Sequence, residues 1–125
     1  RYYENMKTII NRLLALYPNC RIVVHRPLWY SPNTYNGAKY LEEGLRRLQD
    51  YYPQIQRLVD YYASHFPGQV FLGDTKGFDY FKENHLTDFQ AEKGSAGVFY
   101  LHPNEKGAVR LGELWSEAIR QALGL

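Results

Sequence analysis

The chain has 125 residues, of which 45% are hydrophobic and 22% charged, a composition ordinary for one globular domain with a hydrophobic core. The net charge is only +2, and arginine and lysine are dispersed along the sequence. The sequence therefore argues against a nucleic-acid partner, and it has no apolar run near the roughly 20 residues that cross a membrane.

The first elements in chain order are an amphipathic helix and a strand. Apolar residues recur at helical spacing from residue 3 to about residue 17, and Pro18 and Asn19 end this helix. The β-branched run at residues 21–26 alternates little, which is typical of a parallel strand covered on both faces. The single cysteine, Cys20, excludes an intrachain disulfide and is expected to be a packed thiol.

The loop after this strand is rich in aromatic and turn residues. It begins at Pro27, runs to residue 37 and contains Trp29, Tyr30 and Tyr35. In open parallel sheets the ligand crevice lies beyond the carboxyl ends of the strands. We therefore expect these three aromatic side chains to form the wall of a substrate pocket. The chain has 12 tyrosines, but most fall at helical core spacing, so packing explains the majority of them.

A long helix is predicted from residue 38 to residue 66. One apolar phase continues across Pro53, so we expect a kink at this proline rather than a reorientation of the chain. Residues 69–73 then predict a second short strand, and residues 78–84 predict a brief helix.

The last part of the chain is predicted to be an irregular loop over residues 85–101, followed by His102 and a helix that ends at Leu123. Asn104 is well suited to cap this helix. Such an arrangement would hold the imidazole of His102 at one angle within reach of substrate, as a general base requires. The order helix, strand, long helix, strand, loop, helix fits half of a doubly wound parallel sheet.

The motif His102-Pro103-Asn104, with Gly107 and a helix behind it, resembles the final sequence block of the SGNH/GDSL hydrolases. The upstream elements follow the order of that family's C-terminal half, so the resemblance covers essentially all 125 residues. It implies an α/β fold of the flavodoxin-like kind, with a doubly wound parallel sheet in three α/β/α layers. It also implies esterase, lipase or acylhydrolase activity without a cofactor. In this family the histidine before the proline is the catalytic base, and that role passes to His102.

The chain departs from the family's pattern at two points. The aspartate that usually stands three residues before the histidine is replaced by Phe99, and no Gly-Asp-Ser block occurs. The start of the chain at Arg1 reads as the opening of a helix inside a domain. We therefore expect residues 1–125 to be the C-terminal portion of an SGNH domain, inactive alone. The partner would be the N-terminal half of the same domain, which would supply the serine and pair with the first strand.

The residue that orients His102 is left open by the sequence. The candidate carboxylates lie upstream and are Asp74, Asp79, Asp88 and Glu92. Asp88 is the first choice because it lies in the loop that delivers His102, although helix capping or solvation explains each carboxylate singly. A Ser-His dyad with a backbone carbonyl as the orienting group is the alternative.

The other histidines and the serines are not assigned a catalytic role. His25 lies within the predicted strand, His65 lies on the last turn of the long helix, and His85 lies in the loop. No pair has the His-x-x-x-His spacing of metal ligands, so no metal is assigned. Four serines sit in no nucleophile-like turn: Ser31, Ser64, Ser95 and Ser116.

Two functions of different classes follow. The first is a serine esterase that acts on acyl groups, with O-acetyl esters of carbohydrates as candidate substrates. The second is a non-catalytic module of the same fold that binds glycans through Trp29, Tyr30 and Tyr35.

Overall fold

The structure is a computed structural model that describes residues 1–35 and 40–125. Four helices and two two-stranded sheets lie in these ranges. In chain order they are α1 (Tyr2–Leu16), β1 (Ile22–Val24), α2 (Leu41–His65), β2 (Val70–Leu72), α3 (Gly77–Asp88), β3 (Glu92–Gly94), β4 (Gly97–Phe99) and α4 (Glu105–Leu123). The prediction of a mixed α/β chain is confirmed at this level, whereas the described residues form no three-layer sheet.

The strands β1 and β2 form a parallel pair joined by the crossover helix α2. Ile22 lies opposite Val70, and Val24 lies opposite Leu72. A parallel pair requires such a connection, because its two strands begin at the same edge of the sheet. Each strand is three residues long, shorter than predicted. Beyond Val24 the pairing becomes irregular.

Helix α2 continues through Pro53 as one element, which confirms the prediction that the chain does not reorient there. The unbroken apolar phase explains this, since Ile55, Leu58 and Tyr62 are all fully buried on one side. The helix begins at Leu41, whose backbone lies in the left-handed region with a φ of 48°. The predicted start at residue 38 lies outside the described residues.

The buried side chains form two clusters. The first joins α1, α2 and the parallel pair, with Ile10, Leu58 and Val70 among its members. The second lies beneath the C-terminal part of the chain and is built from Trp29, Phe78, Phe81 and Phe89. In the described part of the chain no helix combines the length and the apolar character that crossing a membrane requires.

Residues 85–101 differ from the predicted irregular loop. Helix α3 continues to Asp88, with a non-helical backbone at Asn84, and residues 92–99 form the β3–β4 hairpin. The hairpin turn depends on Gly97, whose φ of 95° is costly for any residue with a side chain. Strands of three residues show too little alternation to be recognised in the sequence, which explains the error.

Candidate functional site

His102 lies on the outgoing arm of the β3–β4 hairpin. Near the tip Glu92 pairs with Phe99, and farther down the two arms Phe89 pairs with Pro103 in an isolated antiparallel bridge. The backbone N–H of Gln90 donates to the carbonyl oxygen of His102 at 2.8 Å. The backbone of His102 is therefore fixed by antiparallel pairing rather than carried on a free loop.

The two arms do not contain equal numbers of residues between these pairs. The incoming arm has residues 90 and 91 there, whereas the outgoing arm has residues 100, 101 and 102. An extra residue on one arm is a β-bulge, a feature that redirects side chains near functional sites. In a regular ladder His102, three residues beyond Phe99, would project from the face opposite to Glu92. The bulge brings the two side chains to the same face.

The imidazole of His102 is hydrogen-bonded to the carboxylate of Glu92. Its Nδ1 lies 2.9 Å from Oε2 and 3.1 Å from Oε1 of Glu92. The His102 side chain is 56% exposed and that of Glu92 is 26% exposed. In the described ranges Nε2 of His102 has no hydrogen-bond partner. A carboxylate at Nδ1 holds the proton on that nitrogen and leaves a free lone pair on Nε2.

The hairpin is held from behind by residues 31–34, which we name the 31–34 clamp. The N–H of Ser31 donates to Tyr100 O at 2.9 Å, and the N–H of Tyr100 donates to Ser31 Oγ at 2.8 Å. Asn33 Nδ2 donates to Val98 O at 2.7 Å. Ser31 and Thr34 are buried, and Thr34 Oγ1 donates to Ser31 O at 2.7 Å. The clamp therefore ties the aromatic loop to the arm that carries His102.

Helix α4 is docked directly behind His102. Asn104 Oδ1 accepts the N–H of Gly107 at 2.9 Å, which confirms Asn104 as the N-cap. The N–H of Asn104 donates to Asp88 O at 2.9 Å, and its Nδ2 donates to Thr87 O at 2.8 Å. Gly107 is required because a Cβ there would collide with the carbonyl oxygen of Asp88.

The carboxylate of Asp88, the first choice to orient His102, has other partners. It is 1% exposed and accepts hydrogen bonds from Tyr80 Oη at 2.6 Å and Thr87 Oγ1 at 2.7 Å. Lys106 Nζ lies 3.7 Å away. Burial alone would raise the pKa of Asp88, but the two hydrogen bonds and the charge of Lys106 outweigh it and lower that pKa. The Asp88 carboxylate is thus bound within α3 and faces Lys106 of α4, and the carboxylate that contacts His102 is that of Glu92.

Asp74, another of the candidate carboxylates, has the helix-capping role that the sequence also allowed. It is buried and accepts the backbone N–H groups of Lys76 at 3.1 Å and Gly77 at 2.9 Å at the start of α3. Sequence reasoning could not separate Glu92 from the other carboxylates, because its contact with His102 depends on the register of two short strands.

The three aromatic residues predicted to line a pocket have different environments. Trp29 is 6% exposed and packs in the second core cluster, so its ring is not a surface for stacking a ligand. The ring of Tyr30 is buried, and Tyr35 is half-buried. The loop's predicted last residues, Asn36 and Gly37, lie outside the described residues. The buried rings of Trp29 and Tyr30 therefore offer little open face on which a sugar could stack.

The remaining histidines have local partners. His25 Nδ1 accepts the N–H of Asp74 at 2.8 Å, and its ring stacks on Trp115 with centroids 4.5 Å apart. Burial lowers the pKa of His25, although the charge of Asp74 partly opposes this effect. His65 and His85 each place Nδ1 near a carbonyl oxygen of their own helix. Within residues 1–35 and 40–125, no group of three or more histidine, cysteine or acidic side chains could hold a metal ion.

In comparisons with known proteins, no family model, no curated protein and no solved structure matches the chain. The resemblance to the SGNH/GDSL hydrolases therefore depends on the motif at residues 102–107 and on the order of the elements.

Proposed function

We propose that the chain is the base-bearing part of a serine ester hydrolase of the SGNH/GDSL kind. His102 is the general base, and Glu92 orients it. One observation carries the proposal: the Glu92 carboxylate lies 2.9 Å from Nδ1 of a histidine whose side chain is 56% exposed. An exposed imidazole held by a carboxylate at one nitrogen has the geometry that proton transfer at the other nitrogen requires.

The proposed chemistry follows from the free Nε2. This nitrogen takes the proton of a serine hydroxyl as the serine oxygen attacks the ester carbonyl, and it then gives that proton to the leaving alcohol. Water repeats the sequence on the acyl-enzyme. Throughout, Glu92 keeps the Nδ1–H tautomer and stabilises the imidazolium. With Glu92 in this role, an aspartate at position 99 is not needed, and Phe99 is 1% exposed in the core instead.

The nucleophile is proposed to come from outside residues 1–125. Among the described residues no serine hydroxyl is hydrogen-bonded to His102, and Ser31 is committed to the 31–34 clamp. A Gly-Asp-Ser segment would supply the serine, and further segments would supply the Gly and Asn donors to the oxyanion. In this proposal the pair β1–β2 belongs to a flavodoxin-like sheet, and the substrate is an acyl ester, with O-acetylated carbohydrates as the candidate class.

The test is kcat/KM on a short acyl ester in the protein that carries both parts. His102→Ala is expected to lose on the order of 10⁶-fold, and Glu92→Gln up to about 10⁴-fold because an amide can favour the wrong tautomer. Asp88→Asn is the matched carboxylate control and should lose far less. A folded His102→Ala protein with near-normal activity would overturn the proposal.

A second measurement separates the location of the nucleophile from the role of the base. Residues 1–125 alone should not hydrolyse p-nitrophenyl acetate above the buffer rate. Turnover by the isolated chain that disappears with His102→Ala would keep His102 as the base and place the nucleophile within the chain.

A further inference from the structure

A second candidate site lies between the aromatic loop and the first turns of α2. It is a cavity with a volume of about 270 Å³, near the lower end of the range for ligand pockets. Its lining consists of Tyr30, Tyr40, Gly44, Arg47, Leu48 and Tyr51, which we name the tyrosine cleft. None of these residues takes part in the proposed proton transfer.

The hydroxyl of Tyr30 is the feature that points to a ligand. Tyr30 is 8% exposed, and a buried tyrosine hydroxyl normally has a hydrogen-bond partner. None of the described residues makes a hydrogen bond to Tyr30 Oη. Every side-chain nitrogen or oxygen that is fully enclosed among these residues does have a partner, so Tyr30 Oη is not one of the enclosed atoms. The hydroxyl therefore remains accessible within the cleft. Gly44 makes room for it, since a Cβ at that position would lie 2.7 Å from Oη.

The other polar groups of the cleft are neutral phenols and one guanidinium. Burial raises the pKa of Tyr30, and Tyr40 and Tyr51 raise it further, while Arg47 opposes them. The Tyr30 phenol therefore stays protonated at neutral pH. Arg47 Nε forms an ion pair with Glu43 Oε1 at 3.8 Å, which is too far for a hydrogen bond, whereas Arg46 lies 2.8 Å from the same oxygen. The guanidinium can therefore donate to a ligand.

We propose that the tyrosine cleft binds one acidic sugar ring of the uronic-acid type. The rings of Tyr40 and Tyr51 are more than a third exposed and suit the apolar C–H face of such a ring. The phenol hydroxyls of the cleft can both donate to and accept from its hydroxyls. Arg47 matches a planar carboxylate. This inference deepens the proposed function, since it names the sugar part of the ester, but binding itself requires no catalysis.

The test is a titration of the ¹⁵N-labelled chain with sodium glucuronate, followed through the amide signals of Gly44 and Leu48. A saturable shift is expected with a dissociation constant on the order of 1 mM, as for a small ligand with few contacts. Methyl glucoside, which lacks the carboxylate, should bind about tenfold more weakly. Benzoate, which has the charge without the hydroxyls, should also bind more weakly.

Variants of the cleft test the geometry. Tyr30→Phe and Arg47→Gln should each weaken glucuronate binding by about tenfold. Gly44→Ala should abolish it, because the new methyl group would displace the Tyr30 hydroxyl, while alanine keeps the helix folded. Tyr17→Phe is the control, since Tyr17 is 60% exposed and lies outside the cleft.

The inference is overturned if glucuronate gives no saturable shift, if Tyr30→Phe and Gly44→Ala bind it normally, or if benzoate binds as tightly. Glucuronate binding by a protein in which His102→Ala leaves esterase activity intact would refute the proposed function and leave the tyrosine cleft standing.

Discussion

At the scale of single residues, the carboxylates of Asp88 and Glu92 differ in their exposure to solvent. Glu92 is partly exposed and holds an exposed imidazole, so its contact contributes little to stability and serves mainly to orient His102. Asp88 is buried at the end of α3, where its carboxylate accepts hydrogen bonds from Tyr80 and Thr87 of the same helix. Glu92 therefore contributes to the orientation of the His102 ring, and Asp88 contributes to the stability of the fold.

The lowered pKa of Asp88 predicts a loss of stability in acid. Because the folded-state pKa lies below the unfolded value of about 3.9, this stabilisation is present above that value and is lost as pH falls through the folded pKa. Asp88→Asn should cost about 1–3 kcal/mol at pH 7 and progressively less in more acidic solution. Urea melts at several pH values measure this difference. Asp79→Asn, at an exposed position on α3, is the control, and an equal loss at pH 7 and in strong acid would contradict the prediction.

At the scale of elements, the site depends on how the hairpin and α4 are attached to the rest of the chain. The 31–34 clamp fixes one side of the outgoing arm, and the α3–α4 contact at Gly107 fixes its end. Both attachments hold backbone groups, since the clamp binds the backbone of Val98 and Tyr100 and Gly107 packs on the backbone of Asp88. Their loss should therefore change local stability before it changes the chemistry of any side chain.

Removing the hydroxyl of Ser31 tests the clamp. Ser31→Ala leaves the Tyr100 N–H without its acceptor, which should cost about 1–3 kcal/mol. Hydrogen exchange should quicken at the amides of Val98 and Tyr100 more than in α1. Ser95→Ala at the exposed hairpin tip is the matched control. Unchanged exchange in the hairpin of Ser31→Ala would show that the clamp does not hold it.

Two glycines of α4 give opposite predictions for the same substitution. Gly107→Ala should destabilise the protein by about 1–3 kcal/mol or more, because its Cβ meets the Asp88 backbone. Gly112→Ala should stabilise it by up to about 1 kcal/mol, since nothing lies within 4 Å of a Cβ there and alanine favours helix. Thermal melts of both variants decide this. Equal effects would mean that α4 does not pack on Asp88 as described.

The sequence predicted the elements that have long periodic patterns or local signals. Helices α1, α2 and α4 follow from apolar spacing, and the Asn104 cap follows from residue type. The hairpin could not be predicted, because its strands have three residues each and two of the six positions are glycine. The partner of His102 could not be predicted either, since it depends on pairing register. The burial of Trp29 depends on tertiary packing, which an aromatic loop does not reveal.

At the scale of the whole molecule, the parallel sheet of two short strands is small compared with the helices that surround it. The strands β1 and β2 each have one partner within the described residues. The N–H of Ile22 and the carbonyl oxygen of Val24 both bond toward β2, so the backbone groups of Val23 face the other side. An unpaired apolar edge of this kind recruits another strand.

We expect the isolated chain to associate through the edge of β1, either with itself or with an added N-terminal half. Light scattering should give a mass above that of the monomer. Val23→Pro removes the outward N–H while leaving the bonds to β2 in place, so it should restore the monomer. A wild-type chain that is a monodisperse monomer, with β1 amides protected from exchange, would contradict this expectation.

The bulge between residues 99 and 103 makes the site sensitive to the number of residues in each arm of the hairpin. A substitution on either arm alters one side chain, whereas an insertion or deletion alters the parity of the arm. Adding one residue to the incoming arm, between Phe89 and Glu92, would restore an even ladder and turn His102 away from Glu92, even with every other residue intact. The contact between His102 and Glu92 thus depends on a count of residues as much as on their identity, and an added residue in the incoming arm should be more damaging than most substitutions there.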